Sequence, residues 1–153
     1  MNKLLAVAIV LIFSLPLSAD DSEFDAEQFV ADYLAARTAT QQPDATSKDL
    51  EHYLSFLVED VGYQHIPYNI DDSRYPDGKS DMREGMTFYL GKNKKFTAEL
   101  VNSVHGFNVV AIQYKGVHEY QREGEPVTVE NYSALDVLEL ENGKVAVIRE
   151  YRE

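Results

Sequence analysis

Residues 130–153 read ENYSALDVLELENGKVAVIREYRE, and this stretch decides the fold of the carboxyl-terminal half of the chain. It contains two runs rich in β-branched and apolar residues, joined by the turn sequence ENGK at residues 141–144. This arrangement predicts a β-hairpin. Each predicted strand also carries an acid among apolar neighbours, Asp136 in the first and Glu150 in the second. Because burying a charge without a partner is expensive, the two acids are candidates for a functional pocket.

The turn sequence leaves two registers open for this hairpin. If residues 142–143 form a two-residue turn, Asp136 and Glu150 share no face of the sheet. If residues 141–143 form a three-residue loop with a bulge, Asp136 lies opposite Ile148 and points to the same side as Glu150. One residue in the turn therefore decides between a shared site and a salt-bridged pair of strands.

The rest of the chain has helical patterns first and strand patterns later. Apolar spacings of three and four predict helices at residues 24–38, 47–57 and 80–90, with Ser47 as the N-cap of the second. Runs rich in β-forming residues predict strands at residues 62–68, 96–104, 108–120, 127–140 and 145–151. Four long antiparallel strands after the helices predict an α+β fold. We expect a curved antiparallel sheet wrapped around three N-terminal helices, with a cone-shaped cavity between them.

The amino terminus has the pattern of a secretory signal. Lys3 precedes an unbroken apolar run of ten residues at 4–13, and small residues lead up to Ala19. We expect cleavage near Ala19, a periplasmic or secreted protein, and one mature domain at residues 20–153. An uncleaved anchor is the alternative, but the apolar run is too short to span a membrane. No stable membrane insertion is therefore expected after cleavage.

Composition excludes several function classes. The chain has 26 acidic and 14 basic residues, a formal net charge of −12. Nucleic-acid binding requires clustered Lys and Arg, so we expect no nucleic-acid partner. The absence of cysteine excludes thiol chemistry. The four histidines show no short metal-ligand spacing, and we expect neither a metal nor another cofactor.

Four segments are informative together: EDVGYQHIP at residues 59–67, GK at residues 78–79, DVLELENGK at residues 136–144 and REY at residues 149–151. They resemble the nuclear-transport-factor-2-like superfamily, and within it the SnoaL-like branch of polyketide cyclases, steroid isomerases and limonene-epoxide hydrolases. The resemblance covers the mature chain. It implies the hairpin register with the three-residue loop, and a homodimer formed through the outer face of the sheet. Because folds of this kind host many activities, it specifies the fold more than the reaction.

The resemblance also implies roles for four residues. The base of steroid isomerases matches His65, and their oxyanion hole matches Tyr33 and a protonated Asp136. The acid-base residue of polyketide cyclases matches Glu150. Histidine changes charge near neutral pH, so His65 could take a proton from a carbon next to a carbonyl. Tyr33 and Asp136 would then stabilise the enolate, and Glu150 would return the proton.

The epoxide-hydrolase pattern matches less well. Its first-strand Tyr and Asn match Tyr63 and His65, and its last-strand acid matches Glu150. Its central arginine and second aspartate fall on Tyr114 and Gly116, so we expect its acid–arginine–acid triad to be absent. The residues expected to bind a ligand in the cone are Tyr63, Tyr114, Tyr132, Met86 and Ile148.

Each candidate also has a structural interpretation. His65 could be a half-buried strand histidine, Asp136 could make a structural hydrogen bond, and Glu150 could form an ion pair with a neighbouring arginine. Two functions therefore stay open. One is a cofactor-free enzyme acting on a small, largely apolar carbonyl compound, and the other is a non-catalytic module that binds a ligand or a protein. An open cone would favour the enzyme, and a cone filled by Met86, Phe88 and tyrosines would favour the module.

Overall fold

The computed structural model describes residues 24–153, and the predicted signal at residues 1–19 lies outside this range. The described helices are α1 (Ala26–Ala39), α2 (Ser47–Leu54) and α3 (Gly78–Thr87). The strands are β1 (Leu57–Ile66), β2 (Asn93–Phe96), β3 (Glu99–Gly106), β4 (Val109–Tyr120), β5 (Thr128–Glu141) and β6 (Lys144–Arg152). None of the helices within residues 24–153 combines the length and the apolar character that a membrane span needs.

Side-chain caps set the start of the first two helices. The Asp25 carboxylate accepts a hydrogen bond of 2.9 Å from the backbone N–H of Gln28, which satisfies one of the free donors at the start of α1. At α2, the Asp49 carboxylate accepts hydrogen bonds from the backbone N–H and the hydroxyl of Thr46, at 2.8 Å and 2.6 Å. The N-cap is therefore Thr46, whose backbone is extended. The prediction of Ser47 was wrong by one residue, because Ser47 already belongs to the helix.

The sheet has the strand order β1-β6-β5-β4-β2, and β3 also pairs with β4. The four long strands β3 to β6 are antiparallel to their neighbours in sequence, which confirms that part of the prediction. Two details differ. β1 joins the sheet parallel to β6 and starts at Leu57, which was expected to be helical. The strand predicted at residues 96–104 divides into β2 and β3 around Thr97, whose carbonyl oxygen occupies the space that a Cβ atom at Gly116 of β4 would need.

The closing hairpin combines a two-residue turn with a bulge. Asn142 and Gly143 have φ values of 51° and 75°, as a tight turn of type I′ requires. Further along, Ala146 is an extra residue on β6 without a partner on β5, so the pairing shifts by one position. Asp136 consequently lies directly opposite Glu150. Both predicted registers were wrong, although the second correctly placed the two acids on one face.

Helices α1 and α2 pack against the inner face of the curled sheet, where side chains form rows across the strands. The apolar row comprises Val110, Leu138 and Ile148, which are in register on β4, β5 and β6. Two positions further along each of these strands, a second row is formed by Asp136, Glu150 and, on β1, His65, with Ile112 at its end on β4. We call it the polar row. Asp136 and Glu150 are only 1% and 2% exposed, so the fold places two acids inside its core.

Candidate functional site

A buried arginine joins the two acids of the polar row. The Nη2 atom of Arg37 lies 2.9 Å from Oε2 of Glu150, and its Nε atom lies 3.6 Å from Oδ2 of Asp136. Arg37 is on α1, four residues after Tyr33, and therefore projects from the same face of the helix. The arginine between the two acids therefore comes from α1, and not from the strand position of the epoxide-hydrolase pattern, which Tyr114 occupies.

Sequence reasoning missed Arg37, although the sequence carried a signal for it. The apolar stripe of α1 contains Val30, Tyr33 and Leu34, and Arg37 occupies the next position on that stripe. A charged residue at a position that should face the core requires a partner. The two acids on the predicted strands were the natural candidates.

Asp136 is held in an environment that favours its neutral form. Burial raises the pKa of Asp136 to about 6, an effect that Glu150 strengthens and Arg37 opposes. The hydroxyl of Tyr114 donates a hydrogen bond of 3.1 Å to Oδ1 of Asp136. Asp136 therefore titrates within the range in which general acids operate.

Glu150 has the opposite character. Burial works to raise the pKa of Glu150, but the positive charges of Arg37 and Arg152 and the proximity of His65 lower it to about 2. The hydroxyl of Tyr63 also donates a hydrogen bond of 3.0 Å to Oε2 of Glu150. Glu150 is therefore a permanent anion near neutral pH. Two neighbouring carboxyl groups with separated pKa values are a pattern that acid-base sites use.

Tyr33 is paired with a second buried tyrosine. Its hydroxyl oxygen lies 3.2 Å from that of Tyr53, and both side chains are buried. Burial raises the pKa of Tyr33 well above its ordinary value and the pKa of Tyr53 to about 12. The tyrosine that donates to Asp136 is Tyr114, which the sequence analysis had placed in the wall of the pocket.

The remaining predicted residues divide between the site and the surrounding packing. His65 lies opposite Glu150 in the parallel register of β1 and β6. Tyr132 donates a hydrogen bond of 2.7 Å to the carbonyl of Thr97 and packs on the sheet. Ile148 is buried in the apolar row, and Met86 packs against the edge of the core.

Unpartnered polar atoms are concentrated in this cluster. Within residues 24–153, the buried side-chain nitrogen and oxygen atoms without a hydrogen-bond partner are His65 Nε2, Asp136 Oδ2, Glu150 Oε1 and Arg152 Nε. The last two form an ion pair at 2.9 Å, but they are not aligned for a hydrogen bond. Because buried polar groups are normally satisfied, the cluster can accept a further polar group.

The space around the carboxylates is filled by side chains. Tyr33, Tyr53 and Tyr114 are at most 4% exposed, and Arg37 lies among them. A groove of about 540 Å³ lies between α1 and β3, and a smaller cavity of about 340 Å³ lies at the start of α1. Neither is lined by Asp136 or Glu150. In the described residues no group of three or more His, Asp or Glu side chains is placed to hold a metal ion.

Comparison with solved structures shows the fold. A protein assigned as a SnoaL-like polyketide cyclase from Shewanella putrefaciens superimposes with a TM-score of 0.64 at 13% identity, over 83% of this chain and 88% of that chain. An uncharacterized cystatin-fold protein from Novosphingobium aromaticivorans gives a TM-score of 0.62 at 16% identity, over 83% and 97%. The chain therefore has the SnoaL-like, nuclear-transport-factor-2-like fold. The resemblance inferred from the sequence is confirmed at this level.

An LEH-like epoxide hydrolase from M. tuberculosis shares the SnoaL-like fold of this chain, with a TM-score of 0.59 at 16% identity over 84% of this chain and 82% of that chain. No family model and no curated protein sequence matches the chain. At these identities the likeness concerns the fold alone. The chemistry of this domain has to be argued from its own residues.

Proposed function

We propose that this SnoaL-like domain binds a small organic compound through a carbonyl or hydroxyl group placed in the Arg37–Asp136–Glu150 cluster, and that Asp136 exchanges a proton with it. The observation that carries this proposal is the concentration, in that cluster and beside it, of buried polar atoms that lack a hydrogen-bond partner: Asp136 Oδ2, Glu150 Oε1, His65 Nε2 and Arg152 Nε. Hydrogen-bonding groups that the protein leaves unsatisfied favour a polar group of a ligand or a water molecule. The chemistry requires no cofactor.

Asp136 is the proton-transferring residue in this proposal. Its neutral form can donate a hydrogen bond to a carbonyl oxygen, and its ionised form can accept a proton. A pKa near 6 keeps both forms accessible near neutral pH. Arg37 provides a fixed positive charge beside the developing negative charge of an enolate.

Glu150 and His65 receive separate roles. With a pKa of about 2, Glu150 is too weak a base to carry protons at neutral pH. Its fixed negative charge instead adds to the effect of burial in raising the pKa of Asp136, and it holds Arg37 and Arg152 in place. His65 lies opposite Glu150, and its Nε2 atom lacks a partner. It is the second group available to take or return a proton.

The position of the cluster limits the size of the ligand's polar end. Asp136 and Glu150 are almost completely buried, whereas Tyr63 is 36% exposed. We infer that a ligand inserts a small polar group between the side chains and leaves its apolar body against the ring of Tyr63. The signal-like sequence at residues 1–19 supports a periplasmic or extracellular setting for this reaction.

Proton exchange next to a carbonyl provides a direct test. Small cyclic ketones and cyclohexenone are incubated with the protein in D₂O, and loss of the α-proton signal is followed by NMR. The protein should accelerate exchange over buffer, and Asp136→Asn should abolish the acceleration. Asp44→Asn, the same change in an exposed loop, should behave as the wild type. Equal exchange with wild type and Asp136→Asn would refute the catalytic role.

The tyrosine-filled interior favours a second candidate, a non-catalytic SnoaL-like binding module. In that case the charged cluster is a structural core, and no ligand enters it. A ketone that raises the melting temperature equally in wild type and Asp136→Asn, without exchange in either, would identify the module. Ligand binding would then lie outside the cluster.

A further inference from the structure

Arg152 borders the Arg37–Asp136–Glu150 cluster, and much of its hydrogen-bonding capacity is unused. It lies on β6 two residues after Glu150, so the two side chains project from the same face of the sheet. The Nε atom of Arg152 lies 2.9 Å from Oε1 of Glu150 but makes no hydrogen bond. Within residues 24–153 this is the one ion pair that Arg152 forms. A guanidinium group has further donors on its two terminal nitrogens, and these remain for another acceptor.

The ring of Tyr132 holds the guanidinium group of Arg152 in place. The Cζ atom of Arg152 lies 4.9 Å from the centroid of that ring, and the hydroxyl of Tyr132 is itself tied to the carbonyl of Thr97. An arginine fixed over an aromatic face loses less side-chain freedom when it binds a ligand. The side chain of Arg152 is 29% exposed, compared with 12% for Arg37. Arg152 is therefore the arginine of this region that a ligand entering from solvent can reach.

The charges of the cluster leave a place for one more anion. Arg37 and Arg152 contribute two positive charges, and Glu150 is the permanent anion beside them. When Asp136 holds the proton with which it would donate a hydrogen bond to a carbonyl, one positive charge is left without a counterion. Uncompensated charge is costly in a largely buried site. A ligand with a single negative charge restores the balance, whereas a doubly charged phosphate exceeds it.

The two oxygens of Glu150 divide the surroundings of the cluster into two sides. Oε2 accepts the hydrogen bond from Tyr63 and lies 2.9 Å from Nη2 of Arg37, whereas Oε1 faces Arg152. The partly exposed ring of Tyr63 offers apolar surface on the first side, and Arg152 offers positive charge on the second. A ligand that fits both sides has its ketone in the middle, an apolar group at one end and an anion at the other.

We propose that the ligand of this SnoaL-like domain is a keto acid, whose carboxylate binds Arg152 while its ketone reaches Asp136. Carboxylate oxygens match the planar fork of a guanidinium group, and such a pair fixes both distance and direction. Two residues along a strand span about 7 Å, so a short molecule can contact Arg152 and the cluster together. Arg152 thereby selects the substrate on which Asp136 acts. This inference rests on the proposed function and names its substrate class.

Two compounds that differ in charge test the role of Arg152. Levulinate has a ketone and a carboxylate, and methyl levulinate has the same ketone without the charge. Dissociation constants for both are measured by NMR titration near neutral pH. Because hydrogen bonds to charged groups are the stronger ones, the wild type should bind the acid roughly tenfold more tightly than the ester or better. Arg152→Gln should remove this preference, and Arg152→Lys, which keeps the charge without the fork, should retain part of it.

Arg122→Gln is the matched control. Arg122 also lies over a tyrosine ring, with its Cζ atom 5.8 Å from the centroid of Tyr120, but it has no contact with the cluster. This variant should keep the preference of the wild type for the acid, and circular dichroism should show the same fold in all variants. The proposal is overturned if the wild type fails to bind levulinate, if it binds acid and ester equally, or if Arg152→Gln keeps the preference.

Proton exchange in D₂O separates this inference from the proposed function. With levulinate as substrate, Arg152→Gln should raise KM more than it lowers kcat, because Arg152 binds the carboxylate and not the reacting carbon. A preference for levulinate that depends on Arg152, without accelerated exchange of either compound, would support the anion site and refute the proton exchange. Accelerated exchange of acid and ester with equal efficiency in wild type and Arg152→Gln would support the role of Asp136 and overturn the keto-acid inference.

Discussion

The apolar row and the polar row occupy the same face of the same strands, two residues apart. Leu138 and Ile148 are at most 1% exposed in the first, and Asp136 and Glu150 are equally buried in the second. The two rows differ in what helix α1 places against them, because it brings a charged side chain to the polar row. The polar row survives burial because α1 provides Arg37, since a buried carboxylate without a partner costs several kcal/mol. A core can therefore hold two acids when a third element supplies the opposite charge.

Removing Arg37 should break this arrangement with the largest effect. Arg37→Met keeps the length of the side chain but leaves Asp136 and Glu150 without their shared cation. Breaking a buried ion pair by deleting one partner costs about 3 to 5 kcal/mol. We expect a loss of this size in the free energy of unfolding from urea titrations at pH 7.5. Arg37→Lys should retain part of the stability.

The pH dependence separates this loss from a packing defect. In Arg37→Met the penalty should shrink as pH falls and the carboxyl groups become neutral. Leu138→Ala, in the apolar row, should cost about 2 to 5 kcal/mol by creating a cavity, with a loss that does not change with pH. Parallel pH profiles for the two variants would show that Arg37 acts by packing and not by charge.

The order of helices and strands could be predicted from the sequence, but the bulge that sets the register of the closing hairpin could not. Asn142-Gly143 correctly indicated a tight turn. The bulge at Ala146 was hidden, because residues 145–148 are buried one after another and so give no alternating pattern from which to read the register. Only packing against the rest of the sheet determines which residue is left unpaired. That single bulge brings Asp136 opposite Glu150.

Glu150→Gln should produce the next largest effect. The folded protein lowers the pKa of Glu150 to about 2, below its value in the unfolded chain. The charge therefore contributes stability that is complete above about pH 4.5 and is lost as pH falls toward 2. A shift of this size corresponds to about 3 kcal/mol. Urea unfolding should show this loss at pH 7.

The same titrations should show the gap between Glu150→Gln and wild type narrowing as the solution is acidified below pH 4.5. Glu139→Gln is the matched control, a half-exposed acid on the sheet that pairs with Arg149 and whose replacement should cost less than about 1 kcal/mol. A gap that widens on acidification would contradict the assignment of Glu150 as the permanent anion.

Asp136→Asn should change the free energy of unfolding in the opposite direction, so that the variant is more stable than wild type. The folded protein raises the pKa of Asp136 to about 6, above its unfolded value, so the folded state binds an extra proton between about pH 4 and pH 6. Ionising Asp136 thus reduces stability as pH rises through that interval. The neutral amide avoids this loss. We expect Asp136→Asn to gain about 3 kcal/mol on wild type between pH 4 and pH 8, as measured by urea unfolding. If the free energy of unfolding of Asp136→Asn falls below that of wild type as pH rises, the raised pKa of Asp136 is refuted.

The two acids of the site were recognised from the sequence, whereas the cation was missed. Asp136 and Glu150 stood out because each interrupts an apolar strand. Arg37 did not, since arginine on a helix often extends its charged end to solvent while its stem packs on apolar surface. The hydrogen-bond partner of Asp136 could not be read from the sequence for a related reason. Tyr33 and Tyr114 both face the interior, and only the final packing directs one hydroxyl to Tyr53 and the other to Asp136.

Tyr114→Phe should have the smallest effect on stability, and it tests the pKa of Asp136 most directly. The variant deletes the hydrogen bond of 3.1 Å to Oδ1 while keeping the ring. We expect a loss of about 1 kcal/mol in the free energy of unfolding. Because this hydrogen bond favours the ionised form, its removal should raise the pKa of Asp136 further above 6, which carboxyl ¹³C NMR can follow. Tyr120→Phe removes an equivalent bond to Glu130 on the surface and should leave Asp136 unchanged. A fall in the pKa of Asp136 in Tyr114→Phe would mean that Tyr114 stabilises the neutral acid, and the distinction between the two carboxyl groups would then have to come from Arg37 and Arg152 alone.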